Sequence, residues 1–191
     1  MAYADIAALA ERLGLADTID NGLLAGALSA AESSVNLWCN RTFAVPATTT
    51  TRLYAGWGTE VLVDDIATTV GLVVLDNTTT VNNADLVLDP ANGVGPDGNT
   101  GWPYWRLRFA DGHAWSVDGL KRTVSVTAKF GWLAVPENVR MATLVLGADL
   151  FHAKDTRLGI AGFGDMGIIR IRENGMLQTL LHNFVRETGV R

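Results

Sequence analysis

The sequence predicts an α+β protein, a small helical bundle of about four helices with an antiparallel β unit inserted into it. Three observations point there. Apolar residues recur at three-four spacing near both ends of the chain. Between Arg41 and Phe130, β-branched residues and period-two alternation take over. Clusters of Gly, Asn, Asp and Pro punctuate that middle stretch. The expected boundaries are 1–46 and 131–191 for the helical part and 47–130 for the insert.

The first helix is expected over residues 5–14. Ile6, Leu9, Ala10 and Leu13 share one face, Asp5 is placed to cap the start, and Gly14 to end it. A longer helix follows over 20–40, with Leu24, Leu28, Ala31, Val35 and Trp38 in one stripe. Asp17, Thr18 and Asp20 are all candidate caps. Gly22, Ala25, Gly26, Ser29, Ala30, Ser33 and Ser34 keep much of this helix small, which permits close packing within the chain or between subunits.

Strands are expected at Thr51–Ala55, Glu60–Val63, Val70–Leu75, Asp85–Leu88, Tyr104–Phe109 and Arg122–Phe130. In the last, Val124, Val126, Ala128 and Phe130 face one way and Thr123, Ser125, Thr127 and Lys129 the other. Turns are expected at Gly56-Trp57-Gly58, Asp76-Asn77, Asn82-Asn83 and Asp111-Gly112. The glycine-rich run 90–101 reads as a mobile loop.

The central helix begins at Pro136, whose missing N–H suits a first helical position. Glu137 in its first turn and His152 and Lys154 in its last complement the helix dipole. Between them Val139, Met141, Ala142, Leu144, Val145, Leu146, Ala148, Leu150 and Phe151 leave almost no polar face. Such a helix is enclosed on most sides, and part of its surface is expected to be covered by another copy of the chain. At about eighteen residues it reaches roughly 27 Å, but Arg140, Thr143 and Asp149 argue against a membrane span. A glycine-rich loop over 157–167 and a strand-like run Ile168–Arg172 follow. A last helix is capped by Asn174 and carries Leu177, Leu180, Leu181 and Phe184.

The totals exclude several function classes. A chain of 191 residues buries roughly 70% of its extended surface and needs no staples. Its one cysteine, Cys39, forms no internal disulfide. The start, MAYADIAALAERLG, has no basic leader region, so a reducing cytoplasm or something assembled there is the expected setting. Net charge is −5, with eight Lys/Arg against fourteen Asp/Glu in residues 1–135 and seven against six in 136–191. Nucleic-acid binders carry a basic excess, and this chain does not.

The chemical motifs are weak. Gly162-Phe163-Gly164-Asp165-Met166-Gly167 matches G-x-G-x-x-G, but a helix precedes it where a dinucleotide fingerprint needs a strand. His113, His152 and His182 lie far apart, so no metal is expected. Asp64-Asp65 reads as a solvated turn rather than paired carboxylates. Of the tryptophans in or beside the insert, Trp105 and Trp132 suit the core, while Trp57 and Trp102, set among glycines, are the candidate exposed contacts. Arg170 and Arg172 would share one face of a short strand, either solvated or paired with a neighbouring subunit. No catalytic constellation and no cofactor site is expected.

FGW at 130–132, VPENV at 135–139, a helix ending ADLFHAKD, then LGIAGFGDMG and IIRIR, together with paired N-terminal helices ending NRTF, form a recognisable order. In this the chain resembles the head-to-tail adaptor (head–tail connector) family of long-tailed bacteriophages. The resemblance implies a structural virion protein in the neck, assembled in the host cytoplasm as a ring of twelve copies. The ring sits beneath the portal protein, carries a head-completion or tail protein, and lets DNA through without sequence-specific binding. It implies no enzyme activity, no cofactor and no membrane. The expected subunit or portal interface is Gly159, Gly162, Phe163, Gly164, Asp165, Met166, Ile169, Arg170 and Arg172. A tail-completion protein and a carbohydrate-binding module using Trp57 and Trp102 are the alternatives.

Overall fold

Capping residues set the first helix where they predict it. In the computed structural model, which describes residues 2–16, 20–119, 121–153 and 170–186, α1 spans Ile6–Leu13. The Ala8 amide donates to the Asp5 side chain at 2.6 Å, and Gly14 closes the helix in the left-handed region. The chain is α+β and divides into two compact units, Met1–Ala44 with Val135–Arg191, and Val45–Ala134.

In the first unit α2 runs Asn21–Cys39 and ends at Asn40, also left-handed. α3 runs Glu137–Ala153 and α4 Gly175–Leu181. α1, α2 and α4 all pack on α3. Val139, Ala142, Leu146 and Leu150 of α3 are fully buried by the chain itself. The expected second copy is therefore not needed to cover α3, because neighbours from the same chain already enclose it. Gly147 marks the tightest crossing: a Cβ there would sit 3.3 Å from Leu28 and 3.5 Å from Leu9. Polar groups in this core are satisfied locally. The hydroxyls of Thr143 and Ser34 donate to carbonyls one turn back, Val139 at 2.9 Å and Ala30 at 2.8 Å. Tyr3 ties the ends together: its hydroxyl donates to Asn36, accepts from the Phe43 amide, and its ring meets Phe43 edge-on. Burial pushes the Tyr3 phenol up, against those hydrogen bonds. The Arg186 amide donates to the Cys39 carbonyl.

The second unit is a six-stranded antiparallel sheet. Its strands are β1 Thr50–Tyr54, β2 Glu60–Asp76, β3 Thr79–Val81, β4 Leu86–Asp89, β5 Tyr104–Phe109 and β6 Val124–Phe130. They are ordered β1-β6-β2-β5-β4, with β3 paired to β2. β2 replaces two expected strands. Its first half pairs with β5 and its second with β6, with register shifts between Leu62 and Ile66 and between Thr68 and Val73. Gly71 takes the positive φ that the second irregularity requires. The turn expected at Asp64-Asp65 does not form, because β2 runs straight through both residues. Asp64 accepts from Arg52 at 2.7 Å and from the Tyr54 hydroxyl at 3.0 Å, while Asp65 is buried and its carbonyl accepts from Gly131. β3 is an addition to the expected strands. A two-residue turn with Asn77 left-handed joins it to β2, putting Asp76 opposite Thr79. Asp85, expected to open a strand, closes a 3-10 turn instead. The core gathers Val61, Val63, Ile66 and Val74 of β2, Leu107 of β5, and Val124, Val126 and Ala128 of β6, with Trp115 from a loop.

Candidate functional site

No group of three or more His, Cys, Asp or Glu placed to hold a metal is seen among the described residues. No described helix is long and apolar enough to cross a membrane. What the chain offers is surface, and the sequence-predicted contacts divide sharply on it.

Trp57 is 83% exposed. It opens a four-residue turn in which its amide donates to the Glu60 carbonyl at 3.0 Å and the Glu60 amide returns the bond at 3.1 Å. The Trp115 amide donates to Gly58 at 2.8 Å. Gly56 lies so close to Trp115 that a Cβ on it would come within 2.7 Å of the Trp115 Cβ. The turn is thus pinned to the loop that carries Trp115, Ser116 and the exposed Val117. The sequence signal was tryptophan between two glycines.

Trp102 corrects the matching expectation. It is only 7% exposed, tilted against Trp132 at 5.1 Å between ring centroids. The glycine-rich run expected to be mobile folds back over it. Gly95 abuts its indole, so that a Cβ there would overlap the ring, and the indole N–H donates to Asp97 at 2.9 Å. Backbone bonds from Gly95 to Asn99 and from Trp102 to Gly93 close the loop. Glycine is present here to admit an aromatic, not to loosen the chain. Burial alone would raise Asp97, but hydrogen bonds from Asn99 and Trp102 outweigh it and hold the carboxyl below the usual range. With Trp102, Trp115 and Trp132 buried and Trp105 half-buried under Arg106, no row of exposed tryptophans remains to bind a sugar.

Of the expected interface, Gly159, Gly162, Phe163, Gly164, Asp165, Met166 and Ile169 lie outside the described residues, as does the G-x-G-x-x-G match. Arg170 and Arg172 are described and exposed, but 170–173 are helical rather than extended. Two residues apart on a helix are separated by about 200°, so these arginines do not share a face. Ile171 between them is fully buried, which is what draws this turn into the helical core. The Arg170 carbonyl accepts from Asn174, the cap of α4, whose side chain accepts from the Met176 and Leu177 amides.

Two features escaped the sequence reading. One is a network on β2, β4 and β5, where Asp89 receives Arg106 at 3.0 Å and Arg108 at 2.9 Å, and Arg106 also reaches Glu60 at 3.4 Å. Alternation along β5 foretold that both arginines share a face, but not their partner. The other is a shallow groove of about 560 Å³ beside α1, lined by Ile6, Ala7, Ala10, Glu11 and Leu15 among others.

No family model matches the chain, and no curated protein matches it. Solved structures do. The fold is similar to a chain in the neck of an empty gene transfer agent particle computed with C6 symmetry, at 18% identity and a TM-score of 0.58, over 97% of this chain and 92% of that one. A neck of the native particle computed with C12 symmetry gives 18% identity and 0.53, over 97% and 91%. The virion of the native particle gives 19% and 0.50, over 86% of each chain.

Proposed function

We propose that this chain is a structural subunit of the neck of a phage-like particle. In that reading it is a head-to-tail adaptor that forms a ring of twelve copies beneath the portal, joins the DNA-filled head to the tail, and leaves a channel for DNA. The observation that carries this is the extent of the structural similarity, 97% of this chain on 92% of a neck chain, which takes in helices and inserted sheet alike. The C6 and C12 symmetries of those necks support a ring. The formal charge of −5 suits a lumen along which DNA slides without being gripped. The role is structural rather than catalytic. Residues Gly159, Gly162, Phe163, Gly164, Asp165, Met166, Ile169, Arg170 and Arg172 form one of the two different surfaces that a head-to-tail ring requires.

Native mass across a concentration range, with and without the cognate portal, tests the reading. A ring-sized species, alone or on the portal, is the expected result, and a monomer that ignores the portal overturns it. Deleting Gly159–Gly167 should leave the fold intact and abolish ring formation or portal docking. The same similarity supports a second reading, a tail-completion protein of the same neck, because the matched chains belong to necks and not to a named ring. Binding to tail tubes in place of portal would decide for it.

A further inference from the structure

We propose that Asn21, the first residue of α2, is a site of spontaneous deamidation, and that its conversion adds a carboxylate at the start of that helix. The inference stands independently of the neck reading.

The sequence holds three Asn-Gly pairs, at 21–22, 92–93 and 174–175. In such a pair the glycine amide nitrogen gives up its proton to solvent base and attacks Cγ of the asparagine. The Cγ–Nδ2 bond breaks, and the amide leaves as ammonia. Water then opens the five-membered imide at either carbonyl, giving aspartate or isoaspartate. Overall one water is consumed and one ammonia released, with no oxidant and no cofactor. Glycine favours the step because it has no Cβ to shield the nitrogen, and its backbone turns freely.

The fold treats the three pairs differently. At 92–93 the Gly93 amide donates to the Pro90 carbonyl at 3.0 Å, and Gly93 is buried with its own carbonyl accepting from Trp102. A nitrogen held as a donor is not free to attack. At 174–175 the Asn174 side-chain oxygen accepts from the Met176 amide at 3.0 Å and the Leu177 amide at 3.3 Å, which fixes the side chain in its cap. At 21–22 neither restraint operates. Among the described residues the Asn21 side chain has no hydrogen-bond partner. The first bond of the helix runs from the Leu24 amide to the Asp20 carbonyl, so the Gly22 amide belongs to the unpaired first turn. Asn21, Gly22 and Leu23 are exposed, and Leu24 is the first buried residue of α2. A Cβ on Gly22 would meet nothing within 4 Å, so the imide has room to form. Fraying of this one turn, which the glycine favours, brings the nitrogen onto Cγ without opening the core.

The product changes the helix it forms on. α2 has no acidic residue in its first turn. An aspartate there meets the positive end of the helix dipole and lowers the formal charge of −5 by one. Isoaspartate carries the same charge but routes the backbone through the side chain. The added methylene does not fit a first helical position, so α2 then begins later.

The test ages the full-length chain in mildly alkaline buffer, folded and in urea, and digests it. Each Asn-Gly peptide is followed by the mass gain of amide-to-acid conversion and by labelling with isoaspartyl methyltransferase. In urea the three peptides are expected to convert at similar rates, because the sequence pair is the same. In the folded chain the Asn21 peptide is expected to convert about tenfold or more faster than the other two. Asn21→Gln should abolish its conversion. Gly22→Ala, which suits a helix better than glycine, should slow it by about tenfold or more. A folded chain in which the Asn92 or Asn174 peptide keeps pace with Asn21, or in which Asn21 stays unchanged, overturns the proposal.

Discussion

Trp102 and Trp57 sit in similar glycine-rich surroundings and end in opposite environments, and the difference lies in single neighbours. Gly95 offers Trp102 a bed without a Cβ, and Asp97 accepts its indole N–H. Trp57 is left 83% exposed on its turn. Gly95→Ala should therefore destabilise the sheet unit by about 1–3 kcal/mol through forced displacement of the indole, read as a lowered urea midpoint. Asp97 gives a pH signature. Its folded pKa is lowered, so its contribution to stability is present above the unfolded carboxyl value of about 3.9 and is lost as pH falls through the lower folded value. Urea midpoints measured down through pH 4 and below should fall more steeply for the parent chain than for Asp97→Asn. The cap at Asn174 is a third single-residue device, bonded to two amides of α4. Asn174→Ala should cost about 1 kcal/mol and raise amide exchange across α4 before the rest of its unit.

Elements whose signals were local were legible in the sequence. α1 has its cap and its terminating glycine a helix-length apart, and β5 runs Tyr104–Phe109 because alternating Trp105, Leu107 and Phe109 against Arg106 and Arg108 fits only a pleat. Elements whose signals were tertiary were not. β2 looks like two strands around a polar turn until Arg52 and Tyr54 of β1, two strands away in the sheet, supply partners for Asp64. β3 is short and polar, and it exists because Val74, Leu75 and Asp76 offer it an edge. The alternation Ile169-Arg170-Ile171-Arg172 is too short to separate a period of two from one of 3.6, and burial of Ile171 beside α4 decides for helix from Arg170 on. The same limit governed the candidate site. Exposure of Trp57 followed from its own turn, whereas burial of Trp102 and the groove beside α1 depend on chain segments meeting in space.

At the scale of the molecule, each unit has its own apolar interior. The sheet unit closes around Val61, Ile66, Val74, Leu107, Val124 and Val126. Residues 45–134 expressed alone should accordingly fold, with a single cooperative urea transition and blue-shifted tryptophan emission. A gradual, featureless transition would show that the sheet needs the helices. Burial of α3 against α1, α2 and α4 joins segments that flank the whole insert in sequence. That arrangement has a consequence for biosynthesis. When α1 and α2 leave the ribosome, the helix that covers their apolar stripes has not been made. Ninety residues of sheet unit must be translated first, which at about 5–20 residues per second takes on the order of 5–20 seconds. During that interval Leu24, Leu28 and Val35 await α3, and the nascent helical half is a natural client for a chaperone, while the sheet behind it completes its own strands first.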